Sequence, residues 1–183
     1  MVPKDSIGKE NPKWELLLTT WAFKIKRHTD YSVRKFKARF CVRGDVQKRK
    51  TEEEMNTYAP VVQWSTVRLM LILTQLLKLK TLSIDISNAF AQADMPEDKT
   101  VYLHLPHGFI PAEGFGKEMV LRLKKSLYGQ AEAPRLWYEK LKAGLEDKSF
   151  RTLQIDPFLF ISEMVIVVAY VNDCLILKKK IIN

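Results

Sequence analysis

The sequence predicts an α+β fold in which an antiparallel sheet packs against helices. Segments typical of strands and helices are intermixed along the 183 residues, without the regular β-α-β order of a parallel sheet. Short alternations of apolar and polar residues indicate the strands, and two longer stretches indicate the helices. Hydrophobic residues make up 46% of the chain, which is enough to form a core.

The first half of the chain is expected to contain a hairpin and a helix. Residues 1–13 are polar and contain two prolines, so we expect a disordered segment ahead of one domain spanning residues 14–183. Trp21–Lys26 and Phe36–Val42 alternate apolar and basic residues, which predicts a β-hairpin with one hydrated, positive face. Thr66–Lys80 is apolar on more than one face, which predicts a largely buried helix.

The remaining elements are expected to be mostly short strands. Asn88–Phe90 is expected to begin a helical turn, and Leu136–Asp147 is expected to form an amphipathic helix after Pro134. The expected strands are Leu82–Ile86, Val101–Leu105, Met119–Leu123, Phe158–Ile161, Ile166–Val171 and Cys174–Leu177.

The net charge of +9 is concentrated between residues 24 and 50. That segment holds eleven lysines and arginines and two aspartates, and eleven minus two equals the excess of the whole chain. Basic residues interleaved with Phe23, Tyr31, Phe36 and Phe40 are typical of a nucleic-acid-binding surface. A solvated, lysine-rich surface has the same composition, so both interpretations stay open.

Cysteine content and hydropathy point to an intracellular protein. Two cysteines, Cys41 and Cys174, and no recognisable secretory signal favour the cytoplasm or nucleus over secretion. The longest apolar run, Met164–Val171, is far shorter than the roughly 20 residues that cross a bilayer. His104 and His107 have a spacing that could bind metal, but structural zinc sites usually need four ligands in a paired pattern.

Asp85 and Asp173 are candidate metal ligands. Asp85 lies inside the apolar run LSIDI, where a buried carboxylate needs a hydrogen-bonding partner or a metal ion. Asn172 and Asp173 lie between two strand-like runs, and both residue types suit a two-residue hairpin turn with positive φ. Turn chemistry alone explains that pair. Two carboxylates on neighbouring strands would, however, suit Mg²⁺, which prefers carboxylate oxygens.

Eight stretches of the chain resemble, in order, the reverse transcriptase of copia-type long-terminal-repeat retrotransposons, which is encoded within a Pol polyprotein. They cover roughly residues 14–177 and read WELLLTTWAFKIKR, KFKARFCVRGDVQ, TYAPVVQWSTVRLMLIL, LSIDISNAFAQADM, VYLHLPHGF, LRLKKSLYGQAEAPRLWYEKL, DPFLFI and AYVNDCLIL. The resemblance implies polymerase fingers and palm, truncated before the thumb. It also implies RNA-directed DNA synthesis by two-metal nucleotidyl transfer onto a primer 3′-hydroxyl.

The resemblance implies two Mg²⁺ ions, with Mn²⁺ as an alternative, and as partners a dNTP and an RNA or DNA template–primer duplex. The implied catalytic residues are Asp85, Asp173 and Asn172, and the implied metal ligands are Asp85, Ile86 and Asp173. The implied nucleotide-binding residues are Lys37, Arg39, Asn88, Ala89, Phe90, Tyr128 and Gly129. Among these, Phe90 corresponds to the aromatic ring that leaves no room for a 2′-hydroxyl.

Two positions depart from the family pattern. The hairpin reads Tyr170-Val171-Asn172-Asp173 where the family has Y-V-D-D, and Glu132 adds a negative charge where the family is polar or basic. Because Asn172 carries no charge to offset the repulsion of two close dications, we expect weak or absent polymerase activity. The alternatives are a catalytically silent nucleic-acid-binding remnant of a transposable element and a basic structural domain.

Overall fold

The computed structural model describes residues 1–9, 11–47, 56–110, 112 and 118–179. Over these residues the chain is a mixed α/β structure, made mostly of sheets with two α-helices. The predicted mixture of strands and helices is therefore confirmed. The chain divides into two compact units, of which the first comprises Met1–Asn56 and Ala93–Ala133 and the second comprises Thr57–Gln92 and Pro134–Asn183.

The elements follow each other in short succession. The strands are β1 (Val2–Pro3), β2 (Trp14–Leu17), β3 (Thr19–Arg27), β4 (Val33–Val42), β5 (Lys80–Asp85), β6 (Thr100–His104), β7 (Met119–Arg122), β8 (Arg151–Thr152), β9 (Leu159–Ile161), β10 (Val165–Tyr170) and β11 (Asp173–Lys178). The helices are α1 (Trp64–Leu76) and α2 (Ala133–Glu146), and short 3₁₀ turns occupy Lys4–Ser6, Gly44–Val46 and Ala89–Gln92.

The first unit contains a four-stranded sheet and a two-stranded ribbon. The sheet has the order β1-β7-β6-β2, with β2 parallel to β6, and the ribbon pairs β3 with β4. Leu17, Val42, Val101 and Leu103 form the buried core of this unit. The core is small because the ribbon contributes few buried side chains.

The N-terminal residues differ from the disordered segment that the sequence predicts. Val2 and Pro3 pair with Val120 and Met119 as strand β1, and the N–H of Lys4 donates to the carbonyl of Glu118 at 2.8 Å. Pro3 is tolerated because β1 lies at an edge of the described sheet, where a missing N–H costs little. Local composition could not reveal this pairing, because β7 lies more than a hundred residues further along the chain.

A cluster of charged side chains lies in the interior of the first unit. The ammonium of Lys99 lies 3.2 Å from a carboxylate oxygen of Glu15 and 3.2 Å from one of Glu132. Gln47 donates to both carboxylates, and Gln130 donates to Glu132 at 3.1 Å. Burial by itself would raise the pKa of Glu132, but the charge of Lys99 and the hydrogen bonds outweigh it and lower that pKa. The unusual charge of Glu132 is therefore compensated inside the fold.

The second unit is built on a five-stranded antiparallel sheet in the order β5-β11-β10-β9-β8. Phe158, Phe160, Val168 and Leu177 are buried in its core, where Met70 of α1 joins them. The carboxylate of Asp156 is buried and accepts the backbone N–H of Gln63, the residue that precedes α1. This contact satisfies one of the N–H groups that every helix start leaves unpaired.

Helix α1 is less buried than the sequence predicts. Thr66, Met70 and Thr74 form its buried stripe, whereas Ile72 and Leu76 are 57% and 71% exposed. The prediction of a largely buried helix over Thr66–Lys80 was wrong because only one stripe of α1 packs into the described core. The helix also ends earlier, because Lys78 has a φ of 49°, which turns the chain into β5.

We expect Lys99→Met to lower the free energy of unfolding by about 3 kcal/mol, because it leaves two carboxylates buried without their cation. Urea unfolding measures this loss, and adding Glu132→Gln should recover part of it. Lys125→Met is the matched control, because Lys125 pairs with Asp94 at the surface, where ion pairs contribute about 0–1 kcal/mol. Equal losses for Lys99→Met and Lys125→Met would contradict the cluster's role.

The same cluster predicts a pH dependence. The pKa of Glu132 is lower in the folded chain than the value of 4.5 expected for a free carboxyl. Its contribution to stability is therefore complete above about that value and is lost as the pH falls through the folded-state pKa. Unfolding free energies measured between neutral and acidic pH should show a smaller acid loss in Glu132→Gln than in the unsubstituted chain.

Candidate active site

Asp85 and Asp173 occupy directly opposed positions on neighbouring strands. Strand β5 ends at Asp85, strand β11 begins at Asp173, and the antiparallel register pairs these two residues. Directly opposed residues project to the same face of a sheet, with Cβ atoms about 5 Å apart. The pairing therefore places the two carboxylates side by side at one end of the sheet.

Asp85 is exposed, whereas the sequence predicts a buried carboxylate in the middle of a strand. The prediction of burial was wrong because β5 lies at the edge of the described sheet and Asp85 is its last residue. Asp173 is exposed as well. Exposure lets water and ions screen the charges of both carboxylates.

The turn between β10 and β11 lies one residue earlier than the sequence predicts. Tyr170 pairs with Asp173, so the two turn residues are Val171 and Asn172. Val171 has a φ of 56°, a backbone conformation that β-branched residues rarely adopt. Such a conformation persists only where the surrounding structure holds it, and it occurs preferentially at functional sites.

Two hydrogen bonds hold this turn from outside the hairpin. The indole N–H of Trp137, which is buried on α2, donates to the carbonyl of Val171 at 2.6 Å. The backbone N–H of Ile86 donates to the carbonyl of Asn172 at 2.7 Å. Both turn carbonyls are thus anchored, which explains how Val171 keeps its unfavourable conformation.

The side chain of Asn172 reaches Asp85. Its Nδ2 donates to Oδ1 of Asp85 at 2.6 Å.

Within the described residues, no group of three or more His, Cys, Asp or Glu side chains is arranged to hold a metal ion. The donor set at the end of the sheet is therefore two carboxylates and one amide. Carboxylate oxygens suit a hard divalent cation, so Asp85 and Asp173 fit the implied Mg²⁺ as the residues that would hold it.

Cys174 is the neighbour of Asp173 but lies on the buried side of β11. Burial, together with the negative charge of Asp173, raises the pKa of the Cys174 thiol to about 11. The thiol is therefore protonated at neutral pH, and it packs as a small apolar side chain rather than offering a thiolate to a metal.

The residues that follow Asp85 approach the hairpin turn. Asn88 has a φ of 53° and precedes the 3₁₀ turn at Ala89–Gln92, so the predicted helical turn is confirmed. Ala89 is buried, and Phe90 lines a cavity of about 260 Å³ together with Trp137 and Val171. The structure therefore brings Phe90 and the hairpin turn to one cavity within the second unit.

The other predicted nucleotide-binding residues belong to the first unit. The guanidinium of Arg39 lies 5.5 Å from the centre of the Tyr128 ring, a cation–π distance. The N–H of Val42 donates to the carbonyl of Tyr128 at 2.8 Å. Gly129 has a φ of 85°, and a Cβ there would lie 2.1 Å from the carbonyl oxygen of Val42. Backbone packing against β4 thus requires a glycine at this position, whether or not a ligand does.

The ribbon of β3 and β4 has one basic face and one apolar face. On the basic face Lys24 lies opposite Lys37, and Lys26 lies opposite Lys35, with Arg39 on the same side. Like charges in directly opposed positions repel each other, which a bound polyanion would relieve.

The apolar face carries Trp21, Phe23, Ile25, Phe36 and Phe40. The predicted hairpin with a hydrated, positive face is confirmed, while residues 48–50 of the basic segment lie outside the described residues.

The family of reverse transcriptases (RNA-dependent DNA polymerases) matches residues 9–183. The chain belongs to this reverse transcriptase family. The resemblance to the reverse transcriptases of retrotransposon Pol polyproteins is thereby confirmed. No helix among the described residues of this reverse transcriptase chain is both long and apolar enough to cross a membrane.

Relatives of this reverse transcriptase chain are retrotransposon polyproteins. The "Retrovirus-related Pol polyprotein from transposon TNT 1-94" of Nicotiana tabacum is 33% identical over 164 residues, which are 87% of this chain and 12% of that polyprotein. The "Retrovirus-related Pol polyprotein from transposon RE2" of Arabidopsis thaliana is 28% identical over 176 residues, 94% of this chain and 12% of the polyprotein. The "Transposon Ty1-ER2 Gag-Pol polyprotein" of Saccharomyces cerevisiae is 33% identical over 146 residues, 71% of this chain and 8% of its own length. The chain therefore spans 12% or less of the length of these relatives. No solved structure matches it.

Sequence reasoning missed Trp137 as a residue of this site. Trp137 is buried, as is typical of a tryptophan in a protein core, but its indole N–H also holds the carbonyl of Val171. No local pattern distinguishes it from the other tryptophans. The available signal was the place of Trp137 in LRLKKSLYGQAEAPRLWYEKL, one of the eight stretches that resemble the family.

We expect Trp137→Phe to lower the free energy of unfolding by about 1–2 kcal/mol, because the carbonyl of Val171 loses its donor. Amide hydrogen exchange at residues 170–173 of this reverse transcriptase domain should accelerate more than exchange in β9. The control is Trp64→Phe, since Trp64 lies on α1 of the same unit and is 75% exposed. If both variants leave exchange at the hairpin unchanged, the indole does not anchor the turn.

Proposed function

We propose that this chain carries the fingers and palm of a copia-type RNA-directed DNA polymerase, which extends a primer 3′-hydroxyl with dNTPs on an RNA or DNA template. The palm is assigned to the five-stranded sheet of the second unit, and the fingers to the ribbon of the first. The observation that carries the proposal is the register that opposes Asp85 to Asp173 on neighbouring strands.

The positions of the palm residues support the roles that we propose for them. Asp85 and Asp173, with Ile86 beside them, are proposed to hold divalent cations, Mg²⁺ or alternatively Mn²⁺. Bound cations would activate the primer hydroxyl and stabilise the leaving pyrophosphate. Phe90 lines the cavity next to Val171, where its ring is proposed to exclude the 2′-hydroxyl of a ribonucleotide.

The nucleotide phosphates require cationic or N–H partners. Lys37 and Arg39 lie on the basic face of the ribbon and are proposed to neutralise the triphosphate. Tyr128 contacts Arg39, and Gly129 fixes the backbone next to it, so both support that cation. Asn88 and Ala89 are proposed to shape the turn beside the triphosphate, for which the positive φ of Asn88 is suited.

Asn172 is proposed to make this polymerase weak or inactive. Two close dications repel each other, and their binding depends on negative charge from the ligands. Asp85 and Asp173 supply two negative charges, while Asn172 supplies none where the family has a third carboxylate. The amide also donates to Asp85, so it adds positive rather than negative potential there.

We expect Asn172→Asp to raise the rate of primer extension by about 100-fold, because it restores a charge where the transition state needs cations. The assay measures DNA synthesis on an RNA template and primer with Mg²⁺. Asn56→Asp is the matched control, since it adds the same charge at an exposed position elsewhere. Equally robust activity in the unsubstituted chain and in Asn172→Asp would refute the charge argument.

The second candidate function is nucleic-acid binding without catalysis. The observation that favours it is the basic ribbon face, where lysines oppose lysines, in a chain whose hairpin lacks one carboxylate. Such a surface would bind phosphate whether or not the palm is active. A purely structural basic domain would show no such binding.

We expect binding to an RNA–DNA hybrid to weaken steeply with salt, because each phosphate contact releases a counterion. The double substitution Lys24→Gln and Lys26→Gln should reduce the slope of log K against log salt by roughly 1.5, as two contacts are lost. The control is Lys142→Gln with Lys148→Gln, which removes the same charge from two surface ion pairs. Equal slopes in both double variants would exclude the ribbon as the binding surface.

A further inference from the structure

The bond between Asn172 and Asp85 bears on how this site treats a cation. A carboxylate accepts hydrogen bonds and donates none, so only the nitrogen of the Asn172 amide can face Oδ1 of Asp85. If the amide were reversed, two acceptor oxygens would face each other and repel. The amide oxygen therefore points away from Asp85 as long as this bond exists.

We infer that Asn172 competes with the cation for Asp85 instead of serving as a metal ligand. The inference rests on the proposed function, because it assumes that Asp85 and Asp173 are the residues that hold the ion. The amide occupies one of the two lone-pair positions of Oδ1, so a cation that takes this position must first displace Asn172. The amide thus acts as a lock on one of the four carboxylate oxygens at this site.

The hydrogen bond to Oδ1 also limits how many ions Asp85 can bind. A carboxylate bridges two cations by offering one oxygen to each, and at Asp85 the amide already occupies one lone-pair position of Oδ1. The two carboxylates together carry two negative charges, which balance one divalent cation. Both considerations point to a site that holds a single divalent ion weakly.

The side chain of Asn172 is not one of the groups that hold the turn. The hairpin is held by the backbone carbonyls of Val171 and Asn172, which accept from Trp137 and Ile86. Asn172 is also not among the residues with positive φ, so alanine fits its backbone. Asn172→Ala therefore removes the lock without removing an anchor of the fold.

Titration calorimetry with Mn²⁺ on the full chain tests the inference. A competitor and a ligand predict opposite signs: Asn172→Ala should bind Mn²⁺ more tightly than the unsubstituted chain, by up to about tenfold. Asn56→Ala is the matched control and should leave the affinity unchanged. Equal or weaker binding by Asn172→Ala would overturn the inference, since a lost ligand lowers affinity.

Two further variants separate failure of this inference from failure of the proposed function. Asn172→Asp should bind Mn²⁺ more tightly than either chain, and Asp173→Asn should abolish binding. If Asn172→Asp neither binds Mn²⁺ nor extends a primer, the proposed metal site itself is wrong, and the inference fails with it. If both variants behave as expected while Asn172→Ala binds more weakly than the unsubstituted chain, the inference alone fails.

The lock can also be observed without any metal. In a ¹⁵N–¹H spectrum of the full chain, the side-chain amide resonances of Asn172 should shift when Asp85 is replaced by alanine. Exchange of these amide protons with solvent should accelerate in the same variant. Resonances and exchange rates that do not differ between the two chains would show that the amide does not donate to Asp85, and would overturn the inference.

Discussion

The register between β5 and β11 is the constraint on which the candidate site depends. It runs from the pair of Lys80 with Lys178 to the pair of Asp85 with Asp173, and a slip of one residue would turn one carboxylate to the other face of the sheet. Leu177 is buried and lies on the same face of β11 as Asp173, four residues earlier, so such a slip would also move Leu177 out of its packed position. The apolar packing of the second unit therefore fixes the position of its polar end.

The hairpin turn stores strain at the place where the carboxylates meet. Val171 adopts a φ that its branched side chain disfavours, and bonds from Trp137 and Ile86 compensate for the cost. Helix α2, strand β5 and the hairpin are thus coupled through two carbonyl groups of one turn. Loss of the hydrogen bond from Trp137 or from Ile86 would shift the backbone that positions Asp173, although neither donor contacts its carboxylate.

Charged side chains are arranged differently at three places in the two units. Inside the first unit, Lys99 lies between Glu15 and Glu132, and the buried charges compensate each other. On its ribbon, Lys24 lies opposite Lys37 and Lys26 lies opposite Lys35, so positive charges lie side by side at the surface. At one end of the sheet in the second unit, Asp85 and Asp173 carry negative charge next to a neutral Asn172.

The sequence by itself determined the elements whose signals are local: the hairpin of β3 and β4, the start of the turn at Asn88, and the amphipathic helix α2. The alternation of apolar and polar residues and the residue types of a turn depend on near neighbours, so both can be recognised in the sequence. The motifs around Asp85 and Asp173 also identified the two carboxylates before any contact between them was known. Only the tertiary structure decided that Asp85 is exposed, that Ile72 and Leu76 on α1 are uncovered, that Val171 carries the positive φ, and that Asn172 donates to Asp85. Each of these depends on which strand lies at the edge of a sheet and which groups meet across it, and such long-range pairing leaves no trace in a local pattern of residues.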